Sequence, residues 1–155
     1  MSEYFKPFQF LFDESQSIFT KTQKNLLVIS SLFFLVNVAV AFRYGYFFYS
    51  FLFFSLVITS IVFHTYKNIY TFVIDKLVIF MIFLYGSYLL YQKFRMDKIM
   101  LVSLIVVTFL LTVFLFYYGY LTNSYCYDPD EVIGNCYHSL VHVIGAFGHQ
   151  MIVLL

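Results

Sequence analysis

Charge is what this sequence has least of: Asp, Glu, Lys and Arg together make 11% of its 155 residues, and the formal net charge is +1. A soluble domain carries roughly 25% charged residues, so this composition excludes an ordinary soluble globular protein. The few Lys and Arg are scattered rather than clustered, which removes the electrostatic footprint that nucleic-acid binding requires. Residues 1–19 include acidic side chains and lack a compact basic stretch leading into an apolar core. They therefore do not read as a cleaved signal peptide. Cysteine is scarce, with only Cys126 and Cys136, ten apart in one polar segment that also holds Asp128, Pro129, Asp130 and Glu131. The two would form a disulfide in an oxidising compartment and stay free thiols otherwise. Tryptophan is absent, a feature of composition that says nothing about mechanism.

What is abundant is apolar and aromatic surface: 62% hydrophobic residues, 24% aromatic, and a mean hydropathy of +0.84. A helix rises 1.5 Å per residue, so an apolar run of about 20 residues crosses the hydrocarbon core of a bilayer. Runs of that kind cover residues 25–42, 46–63 after the Tyr44-Gly45 break, 69–91, 99–121 and about 137–155. The expected fold is all-α, a polytopic transmembrane bundle of about five spanning helices over residues 25–155. Residues 1–24 mix aromatics with Lys6, Asp13, Glu14, Lys21 and Lys24, as expected of an interfacial segment ahead of the first crossing. Connections are short except for 122–136, which makes consecutive helices antiparallel neighbours. Arg43, Lys93, Arg95 and Lys98 on one side balance Lys6, Lys21, Lys24 and Lys67 on the other, so the positive-inside rule is nearly silent. The acidic segment, free of Lys and Arg, is placed with the N-terminus away from the cytosol. The chain reads as a multi-pass integral membrane protein, of the endoplasmic reticulum or Golgi in a eukaryote and of the inner membrane in a bacterium.

Polar groups inside such runs need an explanation, because an Asp, Lys or Arg at the centre of a spanning helix costs roughly 2.5–3.5 kcal/mol on insertion scales. Ser60 and His64 stand at i and i+4 near the end of the second helix, and His138 and His142 repeat that spacing near the start of the fifth. Residues so spaced share one helix face. Two imidazoles one turn apart can grip a single metal ion, and a third ligand from another helix leaves one coordination position open. His64 is the expected third ligand. Asp75, eleven residues further on and near the start of the third helix, is placed to orient a ligand or to take a proton from the water such an ion activates. Topology permits convergence, since an even number of crossings separates His64 from His138. Blander readings stand beside this one: His64 as an interfacial side chain, the His pair as polar packing between helices, and Asp75 with Lys76 as a local ion pair. His149, seven residues beyond His142 and so about 10 Å deeper, is not needed as a ligand. Ser103, Thr108 and Thr112 read as packing residues.

The spacing Ser60-x3-His64-x10-Asp75, in SIVFHTYKNIYTFVIDKL, followed by His138-x3-His142, in HSLVHVIGAFG, resembles the alkaline ceramidase superfamily. That group also takes in the progestin and adiponectin receptors and the GPI-remodelling and myomaker-like membrane proteins. The resemblance implies an intramembrane zinc hydrolase in which His64, His138 and His142 hold Zn2+, Asp75 binds or activates the water, and Ser60 helps stabilise the oxyanion. It covers about a third of the chain. The family has seven helices where five are counted here, and Val141 stands where many relatives carry Trp. Family ceramidases also carry an acidic calcium site near the N-terminus, for which Asp13 and Glu14 are candidates by location alone. The expected activity is cleavage of an amide or ester bond in a membrane lipid: ceramide-like, a phospholipid or a lipid anchor. The alternatives are a non-catalytic receptor or remodelling protein with a structural zinc, and a metal-free bundle whose His and Asp relay protons.

Overall fold

The computed structural model describes residues 21–155, with side chains from residue 26 onward. Asp13, Glu14 and the expected interfacial segment through residue 20 lie outside the described residues. All regular structure among the described residues is helical: α1 (Lys21–Ser31), α2 (Phe34–Arg43), α3 (Phe47–Thr65), α4 (Ile69–Lys93), α5 (Ile99–Val113), α6 (Gly119–Thr122) and α7 (Glu131–Leu154). Four stretches are long and apolar enough to cross a membrane: Leu26–Arg43, Phe47–Thr65, Ile69–Lys93 and Met96–Thr122. The fifth long helix, α7, has 24 residues and hence the length to cross as well, but one of its faces is polar. The bundle turns large apolar side chains outward, Phe51, Phe80, Val107 and Leu110 among them, as lipid contact permits and water would not.

The first crossing, expected as one unbroken helix, is two. The Ser30 and Ser31 hydroxyls both donate to the Leu27 carbonyl, at 2.9 and 2.8 Å. Serine hydroxyls bonded back onto the helix compete with its ladder and bend it. The chain tightens at Leu32–Phe33, where the Leu32 and Phe33 amides donate to Ile29 and Ser30 three residues back, before α2 resumes. The fourth crossing carries a second irregularity, a π-helical turn over Phe114–Tyr118 that joins α5 to α6. It ends at Asn123, whose φ of 49° closes the helix in the left-handed region that Asn tolerates.

Helix starts follow their caps. Asn68 accepts from the Thr71 amide at 3.0 Å while Thr71 Oγ1 accepts from the Asn68 amide at 3.3 Å, a reciprocal box that fixes the start of α4. Asp130 accepts from the Val132 amide at 2.8 Å, so α7 begins six residues ahead of the expected 137, through a polar first turn and a half that hydropathy cannot see. At its far end the α7 carbonyls of Ile152 and Val153 accept from Lys93 Nζ at 3.1 and 2.6 Å, and that of Leu155 accepts from Lys98. These cations satisfy open carbonyls at a helix C-terminus.

α7 lies against α1, α2, α4 and α5, and small residues set how closely it approaches. A Cβ on Gly148 would sit 2.5 Å from Thr108 Oγ1, and one on Gly86 would sit 2.6 Å from the Tyr49 hydroxyl, whereas Gly145 faces open space. Cys126 is half-buried and Cys136 exposed, and both are free thiols.

Two outcomes are expected. Gly148→Leu should lower the thermal midpoint of the detergent-solubilised protein, a destabilisation of about 1–3 kcal/mol from overpacking, and Gly145→Leu should leave it unchanged. Burial pushes the Cys126 thiol up to about 12, far above an ordinary thiol near 8.5, so at pH 8 it is protonated and unreactive. Maleimide labelling at that pH should modify Cys136 fast and Cys126 slowly.

Candidate metal centre

The topology brings the end of α3 and the first half of α7 to one end of the bundle, and with them His64, His138 and His142. One nitrogen from each imidazole lies within 4.8 Å of the other two. The rings meet at angles, with centroids 4.9 Å apart for His138 and His142, 5.1 Å for His64 and His138, and 5.4 Å for His64 and His142. Three imidazoles from two helices can close on one ion, whose bonds to nitrogen are roughly 2.0–2.1 Å, by small rotations of the side chains.

Hydrogen bonding defines how His142 is presented. Its Nδ1 is 2.9 Å from Ser30 Oγ, and the single Ser30 hydroxyl hydrogen is already given to the Leu27 carbonyl. With its hydrogen on Leu27, Ser30 accepts from Nδ1 and Nε2 keeps a free lone pair; the Leu27 carbonyl also accepts from Ser31, so the opposite arrangement leaves no group unpaired. An outer hydrogen-bond partner on a ligating histidine is what a metal site needs. His64 is buried, and its Nδ1 has no hydrogen-bond partner among the described residues; the same holds for Asn135 Nδ2 and Ser139 Oγ on α7. A buried polar atom left unpaired costs about 1–3 kcal/mol, and coordination to an ion would relieve it at His64. On chemistry and burial the donor set fits a zinc ion.

The other two expected residues are close by and engaged. Ser60 lies one turn from His64 on the buried face of α3 and makes a 3.0 Å hydrogen bond with Ser31. With the Ser31 hydrogen on the Leu27 carbonyl, Ser60 donates in this pair. Asp75 is 1% exposed; its Oδ2 pairs with Lys76 Nζ at 2.9 Å and its Oδ1 accepts from Thr59 at 3.4 Å. The local ion pair is thus present, but its carboxylate is enclosed rather than interfacial. The Lys76 ammonium stands 5.2 to 5.5 Å from the centroids of Phe63, Phe72 and Phe116. Phe63 packs on His64 and Phe116 on His138, at 5.1 and 5.8 Å. Phe63 and Phe116 thus touch both the Lys76 ammonium and the histidine cluster, and the π-helical turn carries Phe116 to that position.

Sequence reasoning missed Ser30, Ser31, Thr59, Asn135 and Ser139. A signal was available for the first two, as adjacent hydroxyls in the middle of an otherwise apolar run. Compared with models of known protein families, with characterised proteins and with solved structures, the chain matches none.

Elemental analysis of purified protein should find about one zinc per chain, lost in His142→Ala. Ser30→Ala should keep the fold and weaken zinc binding 10- to 100-fold, the usual effect of removing an outer partner, read by competition with a chelator.

Proposed function

We propose that this chain is a zinc-dependent intramembrane hydrolase that cleaves an amide or ester bond of a membrane lipid. The observation that carries the reading is the convergence of three imidazoles, one hydrogen-bonded to Ser30, at one end of a bundle with apolar outer faces. His64, His138 and His142 would hold a zinc ion, which when bound would supply Lewis acidity and make water a nucleophile near neutral pH. A set of three neutral protein ligands is the pattern of catalytic rather than structural zinc sites.

The chain's own groups then have distinct tasks. Asp75 is the proton acceptor for the attacking water, with Lys76 as its counter-ion and Thr59 fixing one oxygen. Ser60 turns its hydroxyl from Ser31 toward the carbonyl oxygen as negative charge gathers there, the role of an oxyanion donor. Because Ser31 keeps its own bond to Leu27, that exchange breaks a single hydrogen bond. The rings of Phe63, Phe72 and Phe116 hold the Lys76 ammonium in place beside Asp75. Lipid reaches the centre sideways, between helices whose outer faces are already apolar.

A receptor or membrane-remodelling role with a structural ion is the competing reading, and it draws on the fact that Ser60 and Asp75 are both hydrogen-bonded within the protein. The two part on turnover. Zinc-loaded protein in detergent should release fatty acid from a panel of labelled ceramides and phospholipids. Asp75→Asn should bind zinc as the wild type does and turn over about 10²- to 10⁴-fold more slowly, the typical weight of a general base. Zinc-replete wild type inactive on the whole panel would favour the receptor role, and an Asp75→Asn protein of full activity would remove Asp75 from the mechanism.

A further inference from the structure

His149 takes no part in the centre described above. It sits seven residues beyond His142 on α7, about 10 Å further along the helix, and its ring lines a cavity of about 310 Å³ between α4, α5 and α7. The walls are apolar, with Phe83, Ile105 and Phe109 among them, and Gly86, Gly145 and Gly148 make room for the space. Hydroxyls at the wall are spent or peripheral: Thr108 and Thr112 donate to the carbonyls of Ile105 and Phe109, both at 2.7 Å, and Ser87 is exposed on the outer surface.

The tautomer of His149 follows from its partner. The Tyr49 side chain is fully buried, and its hydroxyl bonds to His149 Nδ1 and to nothing else among the described residues. If Nδ1 carried the proton, the phenolic hydrogen would be left buried without an acceptor, a costly arrangement. Tyr49 is therefore the donor and the His149 proton is on Nε2. Nε2 makes no hydrogen bond among the described residues, and the ring borders the cavity. A mostly apolar, partly open cavity is thus bordered by a ring that carries one unmet N–H.

The lining is mostly apolar; its polar side chains are Ser87, Thr108, Thr112 and His149, and both threonine hydroxyls already donate to backbone carbonyls. A plain hydrocarbon chain from the surrounding bilayer would fill the volume and leave the N–H unmet. We propose that the cavity binds a single lipid chain carrying an uncharged hydrogen-bond acceptor, a carbonyl or hydroxyl oxygen within the chain, which accepts from His149 Nε2. Gly145 stands between His142 and His149 on α7 and borders the same cavity, so a chain whose head is at the histidine centre would present that oxygen roughly 10 Å below it. The site does not depend on hydrolysis, and neither does its test.

The probes are labelled octadecane and octadecan-9-one, which have no bond for a hydrolase to cut. Each is offered to the full chain in detergent, and label retained per protein is counted after gel filtration. Wild type should retain the ketone about five- to tenfold more tightly than the alkane, the weight of one hydrogen bond. His149→Phe should bind both equally. Gly145→Phe, whose side chain enters open space and so leaves the fold intact, should bind neither. Equal retention of the two probes by wild type would overturn the proposal, as would a ketone preference that survives in His149→Phe, or undiminished binding in Gly145→Phe.

Discussion

In hydrocarbon a polar side chain must find its partner within the protein, and the polar face of α7 is where that constraint bears hardest. Several of its groups are met from the other helices. Ser30 of α1 hydrogen-bonds to His142, Asn37 of α2 donates to the Ala146 carbonyl at 2.8 Å and accepts from Gln150 at 3.3 Å, and Tyr49 of α3 donates to His149. Each such bond between helices is modest, averaging about 0.6 kcal/mol in one membrane protein. Their directionality matters more than their strength, because together they admit one rotation and one depth for α7.

The irregularities of the bundle follow from that docking. The kink after Ser31 turns two hydroxyls toward the interior, one onto His142 and one onto Ser60. The π-helical turn in the fourth crossing delivers Phe116 to His138 and to the Lys76 ammonium. Such turns are rare and occur often at functional sites. Glycines on α4 and α7 let backbones approach to the distance at which these bonds can form, with Gly86 making room for the Tyr49–His149 pair itself.

Electrostatics at the histidine end is divided between two charges of different kind. An ion bound by three imidazoles would bring two positive charges into a region of low dielectric, where they are costly unless an anion is near. Asp75 is an enclosed carboxylate, and Lys76 pairs with it at 2.9 Å. His149, further along α7, is paired instead with the neutral hydroxyl of Tyr49.

Hydropathy and spacing by themselves determined the all-α class, four of the five expected membrane-length stretches and the face-sharing of Ser60 with His64 and of His138 with His142. The third crossing begins at Ile69 as its sequence predicts, since composition and period are local properties that a window of neighbours contains. The early start of α7 was hidden because a capped polar turn has no apolar signal, and the break in the first crossing because it depends on hydroxyls choosing a carbonyl over solvent. Only the folded chain decided that His142 meets Ser30 from 112 positions away, that Ser60 is tied to Ser31, and that His149 pairs with Tyr49. Those choices are made by which helix faces come into contact, and that is fixed by packing and by the satisfaction of buried polar groups across the whole bundle, not by any one segment.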